Sequence, residues 1–501
     1  MSHDLQQLAP RTLDATSLRA LCPVLAGSLP RGATWGAGWR RGEEDHWPAL
    51  VEDHRQARSG DLFVAIRGQR FDGHSQLESL RAQGVFSVGE AGSPADLQVE
   101  DTRTWLALAA EALEGHPART LKLIGITGTN GKTTTTWLLH RLLLSRDAHC
   151  GHCGTLGSWI GPSAELNPGL TTPGASQLSR LGARIREAGG RHLVMEVSSH
   201  AIDQQRIAGL SFHGAIFLNL SPEHLDYHLE MEDYFRCKAD FMARKETAWR
   251  LVFTDDPWGR RLAAELGSGC ITAGVSPDAD WRLVKRRVDG SAQILELITP
   301  GGSRERYRIP LPGAHNAQNA LAALVAMRLQ GLQAEELAGL CAGLSSAPGR
   351  LELHEKHGHA RVIIDYAHTP DGYEKCYAAL AELKPRRIFT VFGCGGDRDR
   401  SKRPRMAAIA ESHSHRLLIT TDNPRSEDPL QIATDMRAGL SHPETSQWIP
   451  DRAEAIRAAL TMAEPEDLVL LLGKGHERYQ LIGSGKLHFD EREVLADVWN
   501  A

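Results

Sequence analysis

The chain has 501 residues, of which 41% are hydrophobic and 24% charged, and its formal net charge at pH 7 is −5. At roughly 100–200 residues per domain, this length indicates about three domains. No stretch approaches the roughly 20 apolar residues of a membrane span, and the start, MSHDLQQLAPRT, lacks the pattern of a secretory signal. Charges of both signs argue against a protein that holds nucleic acid through bulk positive charge. We therefore expect a cytoplasmic protein that binds neither membrane nor nucleic acid.

Residues 1–115 form the first predicted domain. DLFVAIRG, residues 61–68, is a short apolar run closed by glycine, which predicts a buried strand. TWLALAAEALEG, residues 104–115, has helical periodicity and ends at a glycine, which predicts a helix. A proline-containing joint, HPART, follows and marks the boundary with the next region.

Residues 116–346 form the second predicted domain, in which apolar strands alternate with helical patterns. The predicted strands are LKLIGIT (121–127), HLVMEV (192–197), AIFLNL (215–220) and LVFT (251–254). Such alternation predicts a mostly parallel sheet with crossover helices. The helix NAQNALAALVAMRLQGL (316–332) closes this region.

A second alternation of apolar strands and helical patterns begins after SSAPGRLE (345–352) and defines the third predicted domain, residues 347–501. Its predicted strands are RVIIDYA, RIFTVFG, RLLITTD and DLVLLLG, with helices between them. The predicted fold class is therefore α/β in three domains: a first domain, a central parallel-sheet domain and a C-terminal Rossmann-like domain.

GITGTNGKTTTTWLLHRLL, residues 125–143, follows the first strand of the central domain and is a variant phosphate loop. The pattern GxxxxGK[ST] requires glycine at position 126, where this chain has Ile126. Strand, glycine-rich loop, Lys-Thr and helix still form the context in which backbone N–H groups and a helix N-terminus surround a phosphate. We expect Lys132 to reach the β- and γ-phosphates and Thr133 to ligate Mg²⁺. The predicted ATP-binding residues of this loop are Gly128, Thr129, Asn130, Gly131, Lys132, Thr133 and Thr134.

TGTNGKTTT resembles the ATP site of the Mur ligase superfamily, the amide-forming synthetases of peptidoglycan and folate metabolism. Further segments resemble family motifs in family order: EVSSHAIDQQRI (196–207), LNLSPEHLDYH (218–228), GAHNAQNALAA (313–323), PGRLE (348–352), DYAHTPD (365–371), GCGGDRDRSKRP (393–404), DNPRSEDP (422–429) and LLGKGHERYQ (471–480). The resemblance covers the chain from about residue 50 to its end.

The resemblance implies an ATP-driven amide bond, in which a carboxylate attacks the γ-phosphate and an amine then displaces phosphate from the acyl phosphate. The implied substrates are ATP, UDP-N-acetylmuramoyl-L-alanyl-D-glutamate and meso-2,6-diaminopimelate, in the synthesis of the cell wall that gives the cell its shape and allows it to divide. We expect these small molecules to be the only partners and the protein to be a monomer.

The resemblance also implies a magnesium site. Glu196 follows an apolar strand, at the sheet edge where α/β proteins bind ligands, and it is implied as a ligand beside Thr133. His224 is implied as a further ligand, although Glu223 precedes it where the family usually has aspartate. Lys238 is implied to be carbamylated, which would convert an ammonium into a metal-binding anion. Lys132, Glu196, His224 and Lys238 are thus the implied catalytic residues.

Two substrate regions follow from the same resemblance. Asn316, Arg350 and His368 are implied near the nucleotide, with His315 in place of the usual aromatic residue before Asn316. The implied contacts of the UDP-linked substrate are Arg55, Thr171, Thr172, Ser198 and Arg206. His54 stands where the family usually has serine before arginine, so the UDP contacts are left open.

The C-terminal domain is expected to bind the incoming amino acid. DNPR follows the strand RLLITT, so Arg425 lies beyond a sheet edge, and an arginine fork matches a carboxylate with two hydrogen bonds. Diaminopimelate carries a carboxylate and an ammonium at its far end, whereas L-lysine carries only the ammonium. The predicted amino-acid-binding residues are Arg398, Asp422, Asn423, Pro424, Arg425, Gly473 and Glu477.

Several alternatives stay open. The chain could add L-lysine or L-ornithine instead, could be another ligase such as a folylpolyglutamate synthase, or could be a P-loop module that holds nucleotide without amide synthesis. Eight scattered cysteines argue against a disulfide framework, but Cys150-Gly-His-Cys153 matches the redox CxxC pattern. We expect these two cysteines to be small packing residues beside the nucleotide site, with a redox protein as the alternative.

Overall fold

A computed structural model describes residues 50–68, 71–166, 169–224 and 227–500. The chain divides into two compact units, the first ending at Ala273 and the second beginning at Gly274. The predicted domain limits at residues 115/116 and 346/347 stay predictions. No helix in the described parts of the chain has both the length and the apolar character needed to cross a bilayer.

The first unit begins with a four-stranded parallel sheet in the order β1-β2-β3-β4. Its elements are β1 (Leu50–Val51), β2 (Leu62–Val64), α1 (Leu77–Ala82), β3 (Phe86–Glu90), β4 (Leu97–Val99) and α2 (Thr102–Leu113). Asp101 caps α2 by accepting hydrogen bonds from the backbone of Arg103 and Thr104. The predicted helix is therefore confirmed, although its last helical residue precedes the predicted glycine by two positions.

The rest of the first unit is a larger sheet with helices between its strands. Its elements are β5 (Lys122–Thr127), α3 (Lys132–Leu143), β6 (Gly151–Gly154), β7 (Gly157–Ile160), β8 (Ser163–Leu166), α4 (Ala175–Glu187), β9 (His192–Glu196), α5 (Ser199–Asp203), β10 (Phe212–Phe217), α6 (Met231–Met242), β11 (Trp249–Phe253), α7 (Pro257–Leu266) and β12 (Ile271–Gly274).

In this sheet the strands follow the order β12-β11-β10-β5-β9-β6-β7-β8. The strands from β12 to β6 are parallel, and β7 and β8 add antiparallel hairpins. The predicted parallel sheet is confirmed. Its central strands are buried on both faces, which explains why their sequences are nearly continuous apolar runs.

The second unit begins with an antiparallel three-stranded meander that the sequence pattern did not predict. It comprises β13 (Trp281–Asp289), β14 (Ala292–Ile298) and β15 (Arg304–Ile309), followed by α8 (Ala314–Leu329) and α9 (Ala334–Cys341). Exposed and buried residues alternate strictly along β15, so arginines at every second position face solvent while Tyr307 and Ile309 are buried.

A six-stranded sheet forms the rest of the second unit, in the order β16-β17-β21-β18-β19-β20. Its strands are parallel except for β16. Its elements are β16 (Glu352–His354), β17 (Arg361–Asp365), α10 (Pro370–Ala381), β18 (Ile388–Phe392), α11 (Lys402–His413), β19 (Arg416–Ile419), α12 (Pro429–Arg437), β20 (Ser446–Trp448), α13 (Arg452–Met462), β21 (Leu468–Leu472), a hairpin of β22 (Tyr479–Ile482) and β23 (Gly485–His488), and α14 (Glu491–Asn500).

The carboxyl ends of β17, β18, β19 and β21 share one edge of this sheet because the strands are parallel. DYAH, GCGGDR, DNPR and GKGHE follow those four strands in turn. Four segments that are distant in sequence are therefore gathered at the edge where α/β sheets bind ligands.

Short 3₁₀ turns complete the described chain. They lie at His54–Gln56, Gly73–Gln76, Pro117–Arg119, Gly267–Gly269 and Pro443–Thr445.

Candidate functional site

The phosphate loop connects the end of β5 to the first residue of α3. Gly128 has φ +146° and Gly131 has φ +88°, and residues with a Cβ rarely adopt these conformations. Ile126, which replaces the first glycine of the usual pattern, is fully buried in β5 and pairs with Glu196 of β9. The substitution therefore lies in the strand, before the glycine loop begins.

Asn219, which follows β10, braces this loop. Its side chain accepts a hydrogen bond from the Asn130 backbone N–H at 2.9 Å and donates one to the Asn130 carbonyl at 3.1 Å. Its own carbonyl accepts from the Thr129 N–H at 3.0 Å. Asn219 lies in the segment LNLSPEHLDYH but was not among the predicted site residues.

Lys132 is the first residue of α3, and its side chain curves back over the loop. Its Nζ donates to the carbonyl oxygens of Gly128 and Thr129, each at 2.8 Å. The loop thus combines a lysine with the N-terminus of a twelve-residue helix, and both features favour an anion at this position.

Glu196 lies at the carboxyl end of β9 and is fully buried. The Thr133 hydroxyl donates to Glu196 Oε2 at 3.1 Å, and the Thr155 backbone N–H donates to Oε1 at 2.7 Å. A Cβ at Gly154 would lie 2.3 Å from Glu196 Oε1, so a glycine is needed for this close approach. The fold therefore brings Thr133 and Glu196 together as predicted, and it adds Thr155 as a residue that the sequence did not reveal.

Lys238 projects from α6 into the base of the loop and is almost completely buried. Its Nζ lies 3.2 Å from the Gly128 carbonyl and 3.3 Å from Thr127 Oγ1, and 4.7 Å from the centre of the Tyr234 ring. Burial, together with the nearby Lys132 charge, lowers the pKa of Lys238 well below the usual range for lysine. This buried lysine is therefore a candidate for a neutral, nucleophilic amine.

His224 lies at the carboxyl side of β10 and adopts a left-handed conformation with φ +57°. Its ring packs edge-on against His200, with ring centres 5.0 Å apart, and against Tyr234 at 6.3 Å. Tyr234 therefore contacts both His224 and Lys238, the two predicted ligands that follow β10. Across the described residues, no three His, Cys, Asp or Glu side chains cluster as metal ligands, so the predicted magnesium set stays a prediction.

A cavity of about 320 Å³ lies in the first unit near the predicted substrate residues. Arg206 lines it, donating to the Thr172 carbonyl at 2.8 Å and to the Gln204 side chain at 2.5 Å. The other lining residues are Glu52, Ile66, Arg103, Leu106, Leu170, Gly174, Ala175, Gln177 and Gln204. Burial raises the pKa of Glu52 despite the nearby Arg206 and Arg103.

Thr172 and Ser198 meet beside Glu196. The Thr172 hydroxyl lies 2.9 Å from the Glu196 carbonyl and 3.1 Å from Ser198 Oγ, and it accepts from the Ser198 N–H. Thr171 is linked to Thr155 through their hydroxyls at 3.2 Å. Arg55 is largely exposed, pairs with Asp53 at 2.7 Å and does not line the cavity. Sequence reasoning missed Glu52, Arg103 and Gln204 as lining residues.

In the second unit, Arg350 and His368 flank Tyr366. The Arg350 guanidinium lies 4.9 Å from the centre of the Tyr366 ring, and His368 packs against the same ring at 4.9 Å. Asp365 accepts backbone hydrogen bonds from Leu351 and Ala367, each at 2.7 Å. Asn316 is buried on α8 and donates to the Pro312 carbonyl at 2.8 Å.

Arg425 has a left-handed backbone, φ +52°, held by the β22–β23 hairpin. Its N–H donates to the Leu481 carbonyl at 3.0 Å, and its carbonyl accepts from Gly483 N–H at 2.8 Å. Its Nη1 donates to the Gly396 carbonyl at 2.8 Å. Nε and Nη2 have no partner among the described residues, so part of the guanidinium fork remains available for a carboxylate.

Asn423, Asp422 and Glu477 join Arg425 at this edge. Asn423 Nδ2 donates to Glu477 Oε2 at 2.8 Å. A Cβ at Gly395 would lie 3.0 Å from Arg425 Nη1 and 3.8 Å from Arg398 Cγ, so both arginines border this glycine. Gly473, with φ +107°, approaches Asp422 too closely for a side chain. The predicted amino-acid-binding residues are thus gathered at one edge.

Cys150 and Cys153 are free and fully buried. Burial raises the pKa of Cys150 far above its usual value and that of Cys153 to about 12. Neither thiol is available as a thiolate at neutral pH. The interpretation of this pair as packing residues is confirmed.

The sheet order and the loop between β5 and α3 place the chain among the P-loop α/β enzymes. Residues 126–327 match the Mur ligase middle domain, and residues 349–475 match the Mur ligase glutamate ligase domain. The chain belongs to the Mur ligase family.

Several relatives that match most of this chain carry the name UDP-N-acetylmuramoyl-L-alanyl-D-glutamate–2,6-diaminopimelate ligase. That of Synechococcus sp. (strain WH7803) is 41% identical over 466 residues, which is 89% of this chain and 93% of the relative. That of Streptomyces coelicolor is 38% identical over 506 residues, covering 98% and 97%. A solved structure of an enzyme with this name is 29% identical, with a TM-score of 0.67 over 92% of this chain and 96% of that one. The three-domain α/β fold class is thereby confirmed.

Proposed function

We propose that this Mur ligase uses ATP to join meso-2,6-diaminopimelate to UDP-N-acetylmuramoyl-L-alanyl-D-glutamate. The observation that carries the proposal is the receptor at the carboxyl edge of the second sheet, where Arg425 offers unpaired donors and Glu477, held by Asn423, offers a carboxylate oxygen. The names of relatives that match most of the chain support the same substrates.

The far end of diaminopimelate carries a carboxylate and an ammonium on one carbon. The unpaired Nε and Nη2 of Arg425 suit the carboxylate, because a guanidinium can donate two parallel hydrogen bonds to it. Glu477 Oε1 has no hydrogen-bond partner among the described residues and suits the ammonium, with the Gly473 carbonyl as a second acceptor. L-Lysine and L-ornithine lack that carboxylate and would leave Arg425 unsatisfied.

At the phosphate loop, the backbone N–H groups of Gly131 and Lys132 at the helix N-terminus and the Lys132 ammonium would hold the β- and γ-phosphates, while Asn219 holds the N–H groups of Thr129 and Asn130. The substrate carboxylate would attack the γ-phosphorus, ADP would leave, and the acyl phosphate would remain. The amine of the amino acid would then form the new C–N bond, phosphate would leave and the amine would lose a proton. Positive charge around the phosphates lowers the first barrier because the carboxylate and the γ-phosphate are both negative, and it lowers the second because negative charge develops on the leaving phosphate.

Thr133 and Glu196 fit a magnesium ion, since a hydroxyl and a carboxylate converge at 3.1 Å and Mg²⁺ prefers oxygen ligands. Magnesium, when bound there, would supply charge neutralisation for the phosphate oxygens. His224 is the further ligand of this proposal.

We propose in addition that Lys238 is carbamylated. Burial lowers the pKa of Lys238 and so favours the neutral amine, whose lone pair can form an N–C bond with carbon dioxide while a proton leaves the nitrogen. Two tests apply to the native protein: its intact mass should include the carbamate, and removal of bicarbonate should lower activity reversibly. A wild-type protein that is fully active without bicarbonate and carries no added mass contradicts this part.

The direct test supplies purified protein with MgATP, the UDP-linked dipeptide and, separately, diaminopimelate, L-lysine and L-ornithine. Phosphate release and product mass are measured. We expect product with diaminopimelate at a rate well above that with the other amino acids. Faster turnover with lysine or ornithine would replace the proposed amino acid, and no phosphate release with any of them would refute the function. The monomeric state and the cytoplasmic location stay predictions.

A further inference from the structure

Lys474, which follows β21, is fully buried although lysine normally carries a charge. Its Nζ lies 3.3 Å from Asp422 Oδ1, 3.2 Å from Asn423 Oδ1 and 3.2 Å from Glu477 Oε2. An ammonium has three N–H donors, and these three oxygen atoms can accept all of them. A buried charge is costly unless it is paired and hydrogen-bonded, and this one is.

The Lys474 contact fixes the orientation of the Asn423 side-chain amide. Asn423 Oδ1 accepts from Lys474 Nζ and from the Leu481 backbone N–H at 2.9 Å. If the amide turned over, its NH₂ group would face both of these donors. Asn423 Nδ2 therefore points to Glu477 Oε2, at 2.8 Å.

The same contact determines which oxygen of Glu477 is available. Oε2 accepts from Lys474 and Asn423, whereas Oε1 has no partner within the described residues. Lys474 also neutralises one of the two carboxylates, Asp422 and Glu477, that lie against it. One net negative charge therefore remains in this cluster, which suits a single ammonium of a ligand.

A second brace comes from the β22–β23 hairpin. Gln480 Nε2 donates to the carbonyls of Thr421 and Asp422 at 3.2 and 3.1 Å. The hairpin also pairs with the backbone of Arg425. The positions of Arg425 and Glu477 relative to each other are thus set by main-chain pairing on one side and by Lys474 on the other.

We propose that Lys474 is a positioning residue that makes the site select an amino acid with an ammonium and a carboxylate together at its far end. Without its charge, the Asn423 amide is free to turn and the Asp422 and Glu477 carboxylates repel each other. Both changes release Glu477 Oε1 from its fixed position relative to Arg425, on which recognition of both groups on one carbon depends. The inference rests on the proposed function.

The test compares Lys474→Met with the wild type in steady-state kinetics on the full-length enzyme. We expect the KM for diaminopimelate to rise about tenfold to a hundredfold, the cost of losing a buried hydrogen bond to a charged group. The ratio of kcat/KM for diaminopimelate over L-lysine should fall by a similar factor, and the KM for ATP should stay within about threefold. Lys245→Met, which removes an exposed lysine elsewhere, is the matched control.

A second variant covers the case in which Lys474→Met does not fold. Asn423→Asp leaves Lys474 in place but replaces the hydrogen bond to Glu477 with two facing carboxylates, so it should lose the same selectivity. Lys474→Gln keeps one hydrogen-bond donor for Asn423 Oδ1. It should therefore recover part of the selectivity for diaminopimelate over L-lysine that Lys474→Met loses.

Melting temperatures and the wild-type reaction separate the possible outcomes. Folded variants that keep the wild-type ratio for the two amino acids, or whose KM for ATP rises as much as that for diaminopimelate, overturn the inference. A wild type that makes no product with diaminopimelate refutes the proposed function instead.

Discussion

In the phosphate loop of the first unit, the residues proposed to bind phosphate, Gly131 and Lys132, are consecutive in sequence, and both would bind through the backbone. The amino-acid receptor of the second unit takes its contacts from separate strand ends, through the side chains of Arg425, Asn423 and Glu477. The side chains of this receptor orient one another through hydrogen bonds. Asn423 donates to Glu477, and Lys474 donates to Asn423.

This difference matches the two ligands. A phosphate group is alike in every nucleotide, so a main-chain ring and one lysine can hold it. An amino acid must be distinguished from close relatives by one charged group, and this requires side chains at fixed separations. Changes in the loop should therefore affect the whole reaction, whereas changes in the receptor should affect one substrate.

The largest effect should follow from Lys132→Ala. Removal of the loop cation leaves the developing phosphate charge uncompensated, so we expect kcat to fall by at least about a hundredfold to a thousandfold with every amino acid. Phosphate release measures this loss. Lys122→Ala, at the exposed start of β5, should retain activity. Normal turnover by the Lys132 variant would remove the phosphate loop from the reaction.

Arg425→Ala should have a smaller and more selective effect. The carboxylate of diaminopimelate loses a charged hydrogen-bond partner, so its KM should rise about tenfold to a hundredfold while the KM for ATP changes little. Titration of each substrate measures both constants, and replacement of the exposed Arg437 on α12 by alanine is the control. Equal increases in the KM for diaminopimelate and in the KM for ATP would contradict the view that the second-unit site acts on the amino acid alone.

A third prediction concerns acid. His140 on α3 and His152 on β6 are fully buried with ring centres 5.5 Å apart, and burial lowers the pKa of His140 to about 4 and that of His152 to about 3. In the unfolded chain both take up protons near pH 6.5, with a pKa of about 6.5. Between these values the unfolded state binds more protons, so stability is lost as pH falls.

From pH 7 to pH 5 we expect each of these histidines to lower the free energy of unfolding by about 2 kcal/mol. Urea unfolding at both pH values measures the loss, and His140→Leu/His152→Leu should lose less than the wild type. His442→Gln, an exposed histidine, is the control. An identical loss in the double variant would show that other groups make the protein acid-sensitive.

The smallest effect should follow from Cys150→Ala/Cys153→Ala. Both thiols are buried and protonated, so turnover should be unchanged within about twofold and independent of added reductant. The same phosphate assay with and without dithiothreitol tests this. A reductant-dependent wild type that the double variant makes independent would restore a redox role.

Much of the first site could be predicted because its residues are neighbours in sequence. Glycines that follow an apolar strand and precede Lys-Thr predict a phosphate-binding loop conformation. Ile126, where the usual pattern has glycine, belongs to the strand before that loop. Asn219 could not be predicted in the same way, because it braces Asn130 from 89 positions away. Thr155 similarly reaches Glu196 across 41 positions.

For the second site, the sequence predicted which residues take part but not how they are held. Arg425 and Glu477 follow predicted strands, so their common sheet edge could be anticipated. The contacts of Lys474 could not be predicted, because the three oxygen atoms that it binds come together only in the folded protein. The antiparallel meander of β13 to β15 was missed because its charged, alternating strands lack the apolar runs used to recognise the parallel ones.

The left-handed backbone of Arg425 has a practical consequence for protein engineering. The four letters DNPR owe their shape to hydrogen bonds with Leu481 and Gly483, which lie more than fifty positions downstream. Introducing these four residues alone into a ligase that adds another amino acid would supply the guanidinium without the hydrogen bonds that fix its backbone. The smallest portable module would be the loop together with Lys474, Glu477 and the hairpin, residues 421–427 and 473–488, moved as one cassette.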